Sequence, residues 1–173
     1  ANAAVHRAHG DGVVHGGLSP ATVLFDDPTD AVVGDWELSA ALERPEASAY
    51  AAPEQVAGEA ADARTDQFRL AATAYHALTG DAPTAGTGER TRPSDRDPSL
   101  PPELDDVLAT ATADDPGDRY ESVVKFDDAL RWAAFPSGGS SDSFRIRNRA
   151  VATPPASRRS ARIPPRSEVG EEP

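Results

Sequence analysis

The sequence predicts an α+β fold dominated by helices, and the spacing of its apolar residues is the main observation behind this class. Within residues 1–135, short strand-like runs of β-branched and apolar residues are confined to residues 13–34. Beyond them, apolar residues recur at spacings of three and four, the period of a helix with one buried face, in three segments: 65–78, 103–113 and 122–134. Small antiparallel pairs followed by helices are typical of an α+β domain.

The elements follow in order along the chain. A first helix from Ala3 to His9 is predicted to end at the turn Gly10-Asp11-Gly12. Val13-Val14 and the run from Thr22 to Phe25 are strand-like, and the turn at 26–30 leads to a partner strand at 31–34.

The helix predicted at 65–78 has the strongest pattern. Thr65 or Asp66 is expected to cap its amide end, and Gly80 is expected to close it. Residues 81–101 are rich in Gly, Pro and Thr and are predicted to be irregular, whereas Pro102 is suited to the start of the next helix.

A change in composition near Pro136 predicts two regions, a domain over 1–135 and a tail over 136–173. The tail has six Pro and seven Ser among 38 residues and cannot bury enough apolar surface to offset its ordering entropy, so we expect it to be disordered. Phe144 to Arg147 alternates like a strand and is the one part of the tail that could dock on the domain.

Charge is divided unevenly between these regions. Residues 1–135 contain 25 acidic and 10 basic side chains, whereas residues 136–173 contain four and seven. This acidity argues against nucleic acid as a partner of the domain. Two explanations stay open: adaptation to high salt, where screening relieves self-repulsion, or an acidic surface for interaction.

Several classes of protein are disfavoured by composition. The absence of cysteine excludes disulfides, thiolate metal sites and a cysteine nucleophile. The histidines lack the spacing of a zinc site, and no apolar run is long enough to cross a membrane. We therefore expect a cytoplasmic protein, and the absence of an initial methionine suggests a fragment of a longer reading frame.

Five segments in order resemble the motifs of the large lobe of protein kinases. Val14-His15-Gly16-Gly17-Leu18-Ser19-Pro20 continues to Leu24 and resembles the catalytic loop V-H-R-D-L-K-P-E-N-I-L. The others, Gly34 to Ser39, Tyr50 to Gln55, Thr65 to Leu70 and Asp115 to Tyr120, resemble in turn A-D-F-G-L-S, A-P-E, the start of the central helix and D-P-x-x-R. The resemblance spans residues 3–135 and implies a kinase-like C-terminal lobe without the small lobe.

The resemblance also implies that the loop has lost its catalytic groups. Gly17 stands at the position of the catalytic Asp, Ser19 at that of the phosphate-contacting Lys, and Thr22 at that of the metal-binding Asn. Asp35 matches the other metal-binding Asp, and Glu37 stands where the family has a flexible glycine.

Scaffold positions are retained by the same comparison. The resemblance implies that His15 packs beneath the metal-binding motif with Trp36, and that Leu24 forms the floor of the adenine pocket. It further implies that Glu54 and Arg119 form a buried ion pair. By the same resemblance, the Asp66 carboxylate accepts hydrogen bonds from amides of the catalytic loop.

These matches predict a catalytically impaired kinase-like module, a pseudokinase, that acts in signalling through a protein partner. The alternative is the large lobe of an atypical Ser/Thr kinase whose small lobe lies outside this chain, and a decayed gene remnant is a third reading. No cofactor is expected, although residual binding of ATP and magnesium through Leu24 and Asp35 stays open. Neither nucleic acid nor a membrane is expected as a partner.

Overall fold

A computed structural model of the protein describes residues 1–27, 30–36, 48–83 and 91–135. Along the chain, the described elements are one helix, then one β-hairpin, then five further helices and a 3-10 turn. The helices are α1 (Asn2–Gly10), α2 (Pro53–Val56), α3 (Ala63–Thr79), α4 (Pro93–Arg96), α5 (Glu103–Ala111) and α6 (Val123–Ala134), with a 3-10 turn at Pro116–Asp118, and the strands are β1 (Val23–Asp27) and β2 (Asp30–Val33). The predicted α+β, mainly helical class is confirmed.

The two strands pair antiparallel, with Val23 opposite Val33 and Leu24 opposite Val32. The prediction of a strand-like run at Val13-Val14 is wrong, because no strand is present there. The amide of Val13 instead donates to the carbonyl of Ala8 at 2.8 Å, which ties the residue to the end of α1. The residues that follow α1 therefore cap its carboxyl end instead of forming a strand.

The central helix α3 begins two residues before the predicted start. Its N-cap is Asp62, whose carboxylate accepts hydrogen bonds from the amides of Arg64 and Thr65. The Thr65 hydroxyl accepts from the amide of Asp62, which completes a reciprocal cap. Gly80 ends the helix as predicted, with a φ of 79° that a side chain would disfavour.

The core forms where α1, α3, α5 and α6 meet. Leu70 and Ala71 of α3 belong to one cluster with apolar residues of α5 and α6, and α1 adds Val5, which is fully buried. The other members include Leu104, Val107, Leu108, Ala111, Val123 and Phe126. The helix spacings that predicted these segments therefore correspond to one shared core.

The predicted tail at 136–173, with Phe144 to Arg147, lies outside the described residues, and so does Glu37. Within the ranges that the structure covers, no helix is both long enough and apolar enough to cross a membrane.

Candidate functional site

The loop that follows α1 is held by one buried carboxylate. Asp66, in the first turn of α3, accepts hydrogen bonds from the backbone amides of His15 at 2.8 Å and Gly16 at 2.7 Å. The φ of Gly16 is 70°, a left-handed value at which glycine lets two successive amides face the same anion. Asp66 therefore occupies the position and makes the contacts that the resemblance implied.

A third donor to Asp66 was not predicted. The Nε2 atom of His9, near the end of α1, lies 2.8 Å from the Asp66 carboxylate. Asp66 is fully buried, so these three hydrogen bonds compensate for the water that its carboxylate loses. His9 thereby links α1, α3 and the loop at one point.

The buried imidazole of His15 connects the loop to the end of β2. Its Nδ1 atom accepts from the amide of Gly17 at 3.2 Å, so the ring proton lies on Nε2, which donates to the carbonyl of Gly34 at 2.9 Å. The ring also packs against Trp36, with centroids 4.8 Å apart. His15 is thus held as a structural group with both ring nitrogens engaged in hydrogen bonds.

Thr22 uses its hydroxyl within the loop itself. Its Oγ1 atom accepts from the amide of Ser19 at 3.0 Å and donates to the carbonyl of Ser19 at 3.1 Å. The side chain is buried, and the Thr22 carbonyl accepts from the amide of Gly34 at 2.9 Å. This hydroxyl closes a local turn of the kind that Ser and Thr favour.

Leu24 and Asp35, which the resemblance implied for nucleotide or metal binding, lie on the hairpin and just after it. Leu24 is 58% exposed on β1, and Asp35 is exposed with a φ of 58°, a left-handed conformation that Asp tolerates better than most residues. Trp36 donates from Nε1 to the carbonyl of Val33 at 2.9 Å, which fixes the turn that presents Asp35.

Two further side chains fasten the loop, and both were missed. Arg69 of α3 is fully buried and donates from Nε to the carbonyl of Leu18 at 2.8 Å and from a terminal nitrogen to Gln55 Oε1 at 3.0 Å. Gln55 in turn donates to the carbonyl of Gly16 at 2.7 Å. The signal for this clamp was an arginine in the otherwise apolar stretch Phe68 to Ala72, a position that polar residues rarely occupy without a specific partner.

The ion pair expected between Glu54 and Arg119 is present. The guanidinium reaches the two carboxylate oxygens at 2.8 and 2.7 Å, and the Arg119 side chain is fully buried. Thr65 donates to the same carboxylate at 2.8 Å. Burial would raise the pKa of Glu54, but hydrogen bonds from Arg119, a backbone amide and Thr65, together with the charge of Arg119, hold that pKa below its usual value.

The side chains around the loop hold its backbone in place, but the loop contributes no charged catalytic group. Asp66, His15, Gln55 and Arg69 fix the backbone of the loop, while the loop itself brings no carboxylate or cation forward. Among the described residues, no group of three or more His, Cys, Asp or Glu side chains is placed to hold a metal ion. The fold and this site define a protein-kinase-type large lobe.

Comparison with known proteins agrees with this class. The serine/threonine-protein kinase PknF of Mycobacterium tuberculosis (strain ATCC 25618 / H37Rv) is 32% identical over 176 residues, which takes in 87% of this chain and 37% of that protein. The serine/threonine-protein kinase PknB of Mycolicibacterium smegmatis is 29% identical over 186 residues, with 91% of this chain and 29% of that protein covered. The chain belongs to the protein-kinase-like superfamily.

Solved structures give the same result at the level of the fold. The crystal structure of the Mycobacterium tuberculosis PknI kinase domain aligns with a TM-score of 0.66 at 34% identity and covers 77% of this chain. The chain covers 51% of that kinase domain and 37% or less of the two curated relatives named above. No protein-family model matches the chain.

Proposed function

We propose that this chain is a catalytically inactive, kinase-type large lobe that serves as a protein interaction module in signalling. The observation that carries the proposal is that its loop is fastened by scaffold contacts while Gly17, Ser19 and Thr22 supply none of the groups that phosphoryl transfer requires. The scaffold is thus kept without its catalytic side chains.

The missing groups act together in phosphoryl transfer. A carboxylate orients the attacking hydroxyl, a cation meets the transferring phosphate, and an Asn and an Asp hold two magnesium ions. Acid–base groups typically contribute about 10²–10⁴-fold to a rate, and electrostatic stabilisation contributes more. The joint loss at Gly17, Ser19 and Thr22 therefore supports negligible turnover.

The donor set fits one metal ion at most. Asp35 is the one carboxylate matched to the metal-binding positions, and the Thr22 hydroxyl already makes two hydrogen bonds to the backbone of Ser19. Magnesium needs oxygen ligands in near-octahedral geometry, and a hydroxyl that already donates to and accepts from the backbone of its own turn is poorly placed to become one. The residues present do not fit the usual pair of metal ions.

A second candidate is the large lobe of an atypical Ser/Thr kinase that is completed by a small lobe. It is supported by the names of the relatives, which are serine/threonine-protein kinases, and by three exposed apolar side chains on the hairpin. These are Leu24, Phe25 and Val32, exposed by 58%, 64% and 49%. An apolar surface of this kind is suited to cover by another lobe or by a partner protein.

Metal stoichiometry separates the two candidates. The chain is fused behind the small lobe of a related kinase, and bound Mn²⁺ is counted by electron paramagnetic resonance at saturating ATP. We expect at most one ion per fusion, and two after Thr22→Asn with Gly17→Asp. Two ions in the unchanged fusion would favour the atypical kinase.

A further inference from the structure

An apolar pocket lies between α3, α5 and the segment that precedes α2. Its interior volume is about 50 Å³, and its mouth is open to solvent. It shares no residue with the catalytic-like loop, the segment 14–24 that resembles the catalytic loop of kinases. Its walls are formed by Phe68, Ala72 and Tyr75 of α3 and by Leu108 and Ala109 of α5. A concave, mostly apolar site with a polar group at its edge is typical of pockets that bind small organic ligands.

Among the described residues, one cation lines this pocket, Arg92. Arg92 is exposed, and its guanidinium makes no hydrogen bond or ion pair with the part of the chain that the structure covers. Other arginines of this acidic domain are engaged, as Arg96 is with Asp81 and Arg131 with Asp127. Arg92 is therefore free to meet an anion at the edge of an apolar cavity.

The acidic group that lines the pocket is already engaged. Asp105 accepts hydrogen bonds from both the amide and the hydroxyl of Ser94, so its two oxygens cap the start of α4. Because both oxygens of this carboxylate already accept hydrogen bonds, it is less available to bind a cation than Arg92 is to bind an anion. The described lining residues therefore combine apolar walls with one available positive charge.

We propose that this pocket binds an amphipathic monocarboxylate, a fatty-acid-like molecule whose chain lies against the apolar walls while its carboxylate meets Arg92. The walls favour a hydrocarbon chain because burial of each methylene removes apolar surface from water. A guanidinium can engage a carboxylate through two parallel hydrogen bonds, which gives the ligand an orientation. This site does not depend on whether the chain transfers phosphate.

The test is a titration of the full chain with octanoate, followed by amide NMR. Saturable shifts are expected at Ala72, Arg92, Ala109 and Thr112, with half-saturation in the range of about 1 mM for a ligand of this size. Hexanoate should bind about tenfold more weakly because it buries two fewer methylenes. Octanol, which lacks the carboxylate, should bind about threefold to tenfold more weakly than octanoate.

Three variants locate the ligand. Arg92→Gln should weaken octanoate binding about threefold to tenfold, whereas Arg96→Gln, at the far end of the short helix that Arg92 precedes, should leave it unchanged. Ala109→Phe fills the pocket from an exposed position and should abolish the shifts, with thermal unfolding used to confirm that the variant folds.

Three outcomes would overturn the proposal. The first is the absence of saturable shifts at these amides. The second is binding that survives Ala109→Phe, which would place the ligand elsewhere, for example on the exposed hairpin. The third is equal affinity for octanol or in Arg92→Gln, which would leave an apolar pocket that takes a neutral group, such as a side chain of a partner protein.

Discussion

Arg119 and Glu54 form a two-point ion pair that joins segments 65 residues apart in sequence. Arg119 also donates to the carbonyls of Ala113 and Arg64, at 2.9 and 3.0 Å, and its guanidinium lies 4.9 Å from the ring centroid of Phe68. One side chain thus connects α2, α3 and the segment before α6. This pair is a tertiary contact that no local pattern would have specified.

Removing Arg119 should therefore destabilise the domain strongly. We expect Arg119→Ala to lower the free energy of unfolding by about 3–5 kcal/mol, because it leaves the Glu54 carboxylate buried without its partner. Urea unfolding followed by circular dichroism measures this change. Arg131→Ala is the matched control, since its pair with Asp127 is exposed and should contribute no more than about 0.5 kcal/mol. Similar losses in both variants would contradict the role given to the buried pair.

Acid should remove the contribution of Glu54. Its pKa is lower in the folded protein than its ordinary value of 4.5, so its stabilisation is complete above that value and is lost as pH falls through the folded-state pKa. Unfolding free energies of the wild type and Glu54→Gln are compared from pH 7 downward. The difference should stay constant to about pH 5 and shrink below 4.5. A difference that grows on acidification would contradict the lowered pKa.

Asp66 should control the order of the catalytic-like loop. Asp66→Asn replaces one acceptor oxygen by a donor that faces an amide, and we expect a loss of about 2–3 kcal/mol. Hydrogen exchange at the amides of His15 and Gly16 should accelerate more than exchange elsewhere in the domain. Asp81→Asn is the control, because that carboxylate is 58% exposed. Unchanged exchange at both loop amides would refute the anchoring role.

Whether a contact of this site could be predicted from the sequence depends on whether a family motif marks both of its partners. Asp66, His15, Glu54 and Arg119 were found because their motifs retain the family order, so the resemblance supplied tertiary contacts that periodicity cannot. The clamp of Gln55 and Arg69 was missed because its partners are mostly backbone carbonyls, which every residue has.

Local structure was predicted well where one helix face is apolar and less well at the ends of elements. The start of α3 moved by two residues because Asp62 competes with Thr65 and Asp66 as a cap and prevails. The short helix α4 was missed in a segment rich in Gly, Pro and Thr, since its start depends on Pro93 and on the distant Asp105, which accepts from Ser94. A contact between residues 11 positions apart, such as Ser94 with Asp105, cannot be read from a short stretch of sequence.

The acidity of residues 1–135 leads to a prediction about salt. If the charge reflects adaptation to high salt, the unfolding temperature should rise as KCl increases from about 0.1 to 2 M, because screening reduces self-repulsion over distances beyond a few ångströms. Scanning calorimetry measures the shift, with sucrose at matched osmolality as the uncharged control. A temperature that is flat or falls in KCl would favour the alternative, an acidic surface for interaction.

Phosphoryl transfer by the completed domain decides whether this lobe is catalytically inactive. The chain is fused behind the small lobe of a related kinase, and transfer of the γ-phosphate of ATP to a generic substrate is compared with that of a fusion repaired by Gly17→Asp, Ser19→Lys and Thr22→Asn. A third fusion adds Asp35→Ala to the repaired form as the inactive control. We predict labelling by the repaired fusion alone, because it restores the orienting carboxylate, the phosphate cation and the second metal ligand together. Labelling by the unrepaired fusion well above the metal-free background would contradict an inactive lobe and identify an atypical kinase.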